Sequence, residues 1–244
     1  VSVVHHAPVP HSRAMSVSQA ATPRAAPDLP ATPPHTILED VAGVVTGSFL
    51  ASLGLFVLGC GAMLLLHLFG TMSIWLKFLA RRNPREFFVQ IKDVLVTAFS
   101  TSSSSATLPA ALAVCRERLG IAPSTAGFVM PLGTTMNMSG TALYEGCVVL
   151  FVAQVFGVHL GFIEQVTLVF LSVLSAVAVA AIPGGSLPLI AGLLVAFGIP
   201  PEGIGIILGV DRLLDMTRTM TNVGSDLVTT AVVDRGQRAS GHAG

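Results

Sequence analysis

The chain predicts an all-α membrane protein with two re-entrant helical hairpins and two discontinuous transmembrane helices in inverted repeat. Three observations predict it. The 244 residues are 52% hydrophobic and only 11% charged, with a mean hydropathy of +0.77, where an ordinary soluble domain carries about 25% charge. Several apolar runs reach the ~20 residues that cross a bilayer as a helix. Polar breaks rich in Gly, Pro and hydroxyl residues recur inside those runs, twice in the same order. The 13 basic and 13 acidic residues cancel, so the chain offers no basic surface to nucleic acid.

Residues 1–40 are rich in Pro, Ala, Ser, Thr and His and carry no apolar period, which predicts a disordered tail. They lack the apolar core of a signal peptide, and His5, His6 and His11 do not make a zinc ligand set. The membrane domain is expected over 41–235, with a second disordered tail over 236–244. Val44 to Phe69 is continuously apolar and reads as a spanning helix. A basic cluster follows (Lys77, Arg81, Arg82, Arg85 and Lys92), with Pro84 in a turn. Phe87 to Phe99 is amphipathic and runs into Ser100–Pro109, a hydroxyl-rich stretch ending in Pro. Irregular backbone at membrane depth is tolerated only where it lines a cavity inside the protein, so this stretch reads as a re-entrant tip.

Ala126 to Phe156 is again apolar, but its middle, Thr134–Thr141, is polar and contains Gly. That predicts a broken helix whose free carbonyls face a cation. Glu145 follows one turn beyond Thr141. The next apolar segment, to Ile182, is interrupted by PGGSLP at 183–188, where Gly184 and Gly185 reach backbone angles closed to other residues. This is the second tip. Leu208–Val233 is apolar at both ends, yet it holds Asp211, Arg212, Asp215, Arg218 and Asp226. Asp211, Asp215, Arg218 and Asn222 fall at i, i+4, i+7 and i+11, one stripe of a helix. Charge at membrane depth costs roughly 2.5 kcal/mol or more per residue, so the stripe must face a partner, an ion or a ligand. RTMTNVGSD, within it, is expected to break this helix as Thr134–Thr141 breaks the first.

No Lys or Arg lies between Leu119 and Asp211. If each tip returns to its own side, the basic regions 77–92, 116–118 and 235–238 share one side. The loops 157–164 and 198–203 then share the other, as the positive-inside rule requires. Cys60, Cys115 and Cys147 have neither zinc spacing nor a disulfide pattern and read as small buried hydrophobes.

From about Val44 onward the chain resembles the C-terminal half of the dicarboxylate/amino acid:cation symporter family. The matching stretches are TAFSTSSSSATLP, PLGTTMNMSGTALYE, the AIPGG tip and DRLLDMTRTMTNVGSDL. The resemblance implies secondary active symport of glutamate, aspartate or a dicarboxylate, coupled to protons, sodium or both, without a cofactor. It also implies a multi-pass protein of the inner (plasma) membrane that is a homotrimer in its full-length form, with hairpins and broken helices moving as one unit against a scaffold.

Residue by residue, the resemblance implies that Ser103, Ser104 and Ser105 meet the substrate α-carboxylate with help from Asn222. Asp215 takes the α-amino group, and Arg218 takes the side-chain carboxylate near Thr141. The tip around Ile182, Gly184 and Ser186 is the gate. One sodium ion would use carbonyls at Gly133, Asn137 and Asn222 with the Asp226 carboxylate; a second would use the Thr135 carbonyl and carbonyls near Ser175 to Ala178. The residue types fit this independently. Arg presents a rigid bidentate fork to a carboxylate, and an acid one turn away suits an ammonium. A mutual ion pair of Asp215 with Arg218, and helix-to-helix hydrogen bonding by Asn137 and Asn222, are the plainer alternatives.

The chain departs from the family pattern where Asn-Met-Asp-Gly-Thr reads Asn137-Met138-Ser139-Gly140-Thr141, which removes a carboxylate from a third sodium site. Glu145 sits where relatives carry a proton, and burial disfavours the charged form of a carboxyl, so proton or mixed coupling is expected. Relatives' extra Arg corresponds to Ser102 or Met216 here, with Arg212 a turn away. The family's N-terminal scaffold helices have no counterpart in this sequence, so the chain reads as a fragment or split gene product that does not transport alone. Two other readings compete. One is an intramembrane enzyme using Asp211 with Asp215 as an acid pair, or Ser103 as a nucleophile. The other is a non-transporting, degenerate or split membrane subunit.

Overall fold

The structure is a computed structural model that describes residues 47–179 and 183–241. The expected tail over 1–40 and the gate residue Ile182 lie outside the described residues. The fold is organised around its last helix, α8 (Ile204–Ala239), whose 36 residues extend about 54 Å at 1.5 Å per residue. Preceding it are α1 (Gly47–Leu66), α2 (Pro84–Thr101), α3 (Ser104–Glu117), α4 (Pro123–Met136), α5 (Ser139–Val155), α6 (Phe162–Ala178) and α7 (Leu187–Ala196). Helix α1 does not stop at Leu66. It continues through two π-helical stretches, His67–Thr71 and Leu76–Ala80, joined by Met72–Trp75. Helices α1 to α5 and α7 pack against α8.

Local chemistry sets the element ends. Arg81 turns the chain with φ 51°, Asn83 caps α2 by accepting from the Arg85 amide, and Pro84 fills the first helical position, where its missing N–H costs nothing. The serine run breaks the chain at two residues only. Ser102 is left-handed (φ 49°), and extended Ser103 restarts a helix by accepting from the Ala106 amide. Ser104 and Ser105 are already inside α3.

Asn137 and Met138 leave the helical region and separate α4 from α5, so the first expected break is present. The second is a correction. Helix α8 is unbroken through RTMTNVGSD, because its hydroxyls bond back within the helix: Thr217 Oγ1 to Leu213 O at 3.0 Å, and Thr221 Oγ1 to Thr217 O at 2.9 Å. No Pro interrupts it. The described chain therefore has one discontinuous helix of the two expected. The helix also runs past residue 235, the expected end of the domain, to Ala239.

Two apolar cores form along α8. Phe87, Ile91, Val94, Ala111, Met130, Val223, Leu227 and Ala231 belong to one; Leu64, Tyr144, Val148, Leu168, Ile190, Leu194, Ile207 and Leu214 belong to the other. Hydrogen bonds gather the chain turns at one end. Arg82 donates to Leu119 O at 2.8 Å, Arg235 to Leu79 O and Arg238 to Gly120 O, while Asp234 accepts from the Ala122 amide at 2.9 Å. The three basic regions thus lie together. At the other end Gly203 packs on Val152 and Phe156, which brings the 198–203 turn beside the loop that starts at Gly157.

The outside is apolar. Leu55, Leu58, Leu66, Phe69, Ile74 and Phe78 of α1 and its extension are exposed, as are Phe162, Ile163, Val169, Phe170 and Leu174 of α6. Patches of this size do not face water in a soluble monomer. Among the described residues, two helical runs, Phe49–Ala80 and Pro123–Val155, are long and apolar enough to cross a membrane.

Candidate functional site

On α8 the last residue of one core is Leu214 and the first of the other is Val223. Between them Asp215, Thr217, Arg218, Thr219, Thr221 and Asn222 are all buried. The charged stripe therefore occupies the gap between two apolar cores, where water is excluded and each polar group needs a partner.

Asp215 and Arg218 bond each other one turn apart, each side chain only 3% exposed. Arg218 also donates to Ser186 Oγ, and its guanidinium lies 4.9 Å from the centre of the Tyr144 ring, a cation–π contact. Asp215 accepts in addition from the Gly184 amide at 3.2 Å. Gly184 has φ +72°, a left-handed angle that suits glycine, and this turns its N–H toward the acid. The turn at 183–186 is thereby held on the Asp215–Arg218 pair from two points. Tyr144 links onward, donating to Asp211 Oδ1 at 2.6 Å.

One turn further along α8, Asn222 closes the helix break. Its Oδ1 accepts from the Gly140 amide at 2.8 Å and the Thr141 amide at 3.3 Å, and its Nδ2 donates to Thr141 Oγ1 at 2.9 Å. The amides freed at the start of α5 are thus satisfied by α8. A Cβ at Gly140 would stand 2.9 Å from Arg218 O, so only glycine lets the backbones approach this closely. On the other side of the break, Asn137 donates to Asp226 Oδ1 at 2.9 Å and to Ser225 Oγ at 3.1 Å. Ser139 reaches Ser225 at 3.2 Å and His67 Nε2 at 3.1 Å.

Asp226 is 1% exposed, and its Oδ2 has no hydrogen-bond partner among the described residues. A buried, half-satisfied carboxylate costs free energy. Gly133 lies directly against it, for a Cβ there would come within 2.7 Å of Oδ1. Oxygen donors at the frayed end of α4 and a carboxylate with a spare lone pair suit a small hard cation. Thr135 bonds its hydroxyl back to Pro131 O and Leu132 O. Glu145 is fully buried, and neither carboxyl oxygen has a hydrogen-bond partner among the described residues.

Of the residues picked from the sequence, Gly184, Asp215 and Arg218 meet in one cluster. Thr141 and Asn222 meet beside it, as do Gly133, Asn137 and Asp226. In the serine run, Ser103 caps α3, Ser104 is buried and Ser105 is exposed. Arg212 is exposed, away from the buried stripe. Sequence reasoning placed Asp211 in the charged stripe but missed Tyr144 as the partner of both Arg218 and Asp211, and gave Ser225 and His67 no part. Tyr144 carried a signal: it is the sole tyrosine of the chain, three residues after Thr141, hence on the same helical face.

A bundle that is apolar outside, with helices long enough to cross a bilayer, and that buries charges in a seam inside has the build of a membrane protein. The profile of the sodium:dicarboxylate symporter family matches residues 36–236, and the chain belongs to that family, one of transporters and not of enzymes. Excitatory amino acid transporter 4 of Rattus norvegicus is 38% identical over 182 residues, 75% of this chain and 32% of that protein. Neutral amino acid transporter B(0) of Bos taurus is 37% identical over 198 residues, 79% and 37% of the two chains. The proton/sodium-glutamate symport protein of Bacillus subtilis is 37% identical over 150 residues, 62% and 35%. The chain spans about a third of the length of these relatives.

Proposed function

We propose that the chain is the transport-domain portion of a secondary symporter for acidic amino acids or dicarboxylates, driven by protons, sodium or both, in a multi-pass plasma-membrane protein. The observation that carries this is the buried Asp215–Arg218 pair, held beneath Gly184 and Ser186 in the seam between two cores. An acidic amino acid exchanges that bond for two: its ammonium to Asp215 and its side-chain carboxylate to Arg218. A neutral solute would leave the guanidinium unpaired, which costs ~3 kcal/mol or more when buried. Ser103, Ser104 and Ser105, with Asn222, take the α-carboxylate, and Thr141 lies beside the second carboxylate. The tip around Ile182, Gly184 and Ser186 opens and closes the site.

Sodium, as a co-transported ion, is held by Asp226 with carbonyls of Gly133, Asn137 and Asn222; the Thr135 carbonyl belongs to a second ion. Glu145, buried and lacking a hydrogen-bond partner among the described residues, carries the proton. The α2–α3 and α6–α7 pairs are re-entrant, and the full-length protein assembles as a homotrimer.

A second reading is a membrane subunit that does not transport. It is favoured by Asp215 and Arg218 satisfying each other. The two separate when residues 44–239 replace the matching segment of the Bacillus proton/sodium-glutamate symport protein and aspartate or glutamate uptake is measured in vesicles. Uptake driven by an imposed proton gradient, alone or with sodium, is expected. Uptake dependent on sodium alone would remove the role of Glu145, and no uptake under either gradient would favour the second reading.

A further inference from the structure

Away from the charged stripe, three sulfur atoms converge where α1 packs on α5. Cys60 and Met63 are three residues apart on α1, so their side chains leave the same face. Opposite them on α5, Cys147 places its Sγ 3.6 Å from Met63 Sδ. Both cysteines are free thiols; Cys60 is buried and Cys147 half-buried. They line a cavity of about 430 Å³ with Gly59, Phe56, Phe151 and Gln154. The rings of Phe56 and Phe151 stack at 4.4 Å and form its apolar wall.

The donor set decides what could sit there. No carboxylate or imidazole lines the cavity, so hard cations such as sodium, magnesium or calcium find no oxygen cage. Zinc takes four nitrogen or sulfur ligands in its structural sites, and here there are three. Thiolate and thioether ligands together select soft Cu(I). We propose that Cys60, Met63 and Cys147 form a binding site for one Cu(I) ion in three-coordinate, all-sulfur geometry.

The step balances without an oxidant or reductant. Cys60 and Cys147 each release an S–H proton to solvent and form a Cu–S bond, Met63 Sδ donates a lone pair, and the copper stays monovalent. The complex bears one net negative charge. The bound ion ties α1 to α5, the helix whose first turns carry Thr141, Tyr144 and Glu145. This site stands apart from the transport reading, since it is read out without substrate.

The test is a competition titration of the detergent-purified chain against bathocuproine disulfonate under reducing, anaerobic conditions. It is followed by X-ray absorption at the copper edge. One equivalent of Cu(I) in a sulfur-only shell is expected, with affinity rising with pH because two protons leave. A ligand removed outright should cost at least the ~10- to 100-fold that loss of an outer-shell partner costs, so Cys60→Ala and Cys147→Ala should each weaken binding by about 100-fold or more. Met63→Leu, which keeps the volume, should weaken binding by roughly tenfold on the same scale, and it serves if a cysteine variant does not fold. Cys115→Ala, in the other core, should leave binding unchanged. Wild-type affinity in the Cys60→Ala, Cys147→Ala double variant, or loss of binding only in Cys115→Ala, would overturn the site.

Discussion

At the scale of single residues, the proposed coupling rests on two buried carboxyl groups. Asp226 has one oxygen on Asn137 and one without a partner among the described residues; Glu145 has both oxygens in that state. Asp226→Asn removes the charge a cation would meet while keeping the bond partner's geometry. Aspartate binding by this variant is expected to lose its dependence on sodium; a sodium titration that superimposes on wild type would rule the ion role out. Glu145→Gln is expected to leave uptake by the chimera indifferent to an imposed proton gradient, and an unchanged response would assign the proton elsewhere.

The acids and the arginine were legible in the sequence because charge inside an apolar run has few physical explanations. Tyr144 and Ser186 were harder to read. An aromatic in an apolar helix and a serine in a Pro-Gly turn are ordinary on their own, and only the fold shows that both touch Arg218.

At the scale of elements, the informative contrast is between the two polar interruptions. Asn137 and Met138 open α4 from α5, and α8 supplies Asn222 to cap the new helix start. RTMTNVGSD resembles such a break in composition, yet it stays helical, since Thr217 and Thr221 bond the carbonyls one turn back. Hydroxyl residues either cap a helix or fold back onto it, and periodicity does not distinguish the two outcomes. The close seam of α5 on α8 makes a sharp prediction. Gly140→Ala places a Cβ 2.9 Å from both Arg218 O and Asn222 Oδ1, and overpacking of this kind costs about 1–3 kcal/mol. Gly127→Ala meets nothing within 4 Å and should stabilise α4 by roughly 0.5–1 kcal/mol. Thermal unfolding in one detergent compares them, and equal melting temperatures would deny the close approach.

At the scale of the whole molecule, the charge map and the fold agree. Leu79–Arg82, Leu119–Ala122 and Asp234–Arg238 are tied together at one end, while the 198–203 turn sits by the Gly157 loop at the other. This grouping was readable from the absence of Lys and Arg between Leu119 and Asp211. Arg81→Cys and Glu202→Cys, both at exposed positions, are expected to react with a membrane-impermeant maleimide from opposite faces of a sealed vesicle. Labelling of both from one face would dismantle the proposed topology.

The most direct probe of the binding seam is a calorimetric titration of L-aspartate into the purified chain and into Arg218→Ala, with helicity checked in both by circular dichroism. Saturable heat in the first and none in the second, at equal helicity, is the predicted result. Equal affinity in the two proteins would mean that the buried guanidinium is a structural partner of Asp215 and that the solute, if any, binds elsewhere.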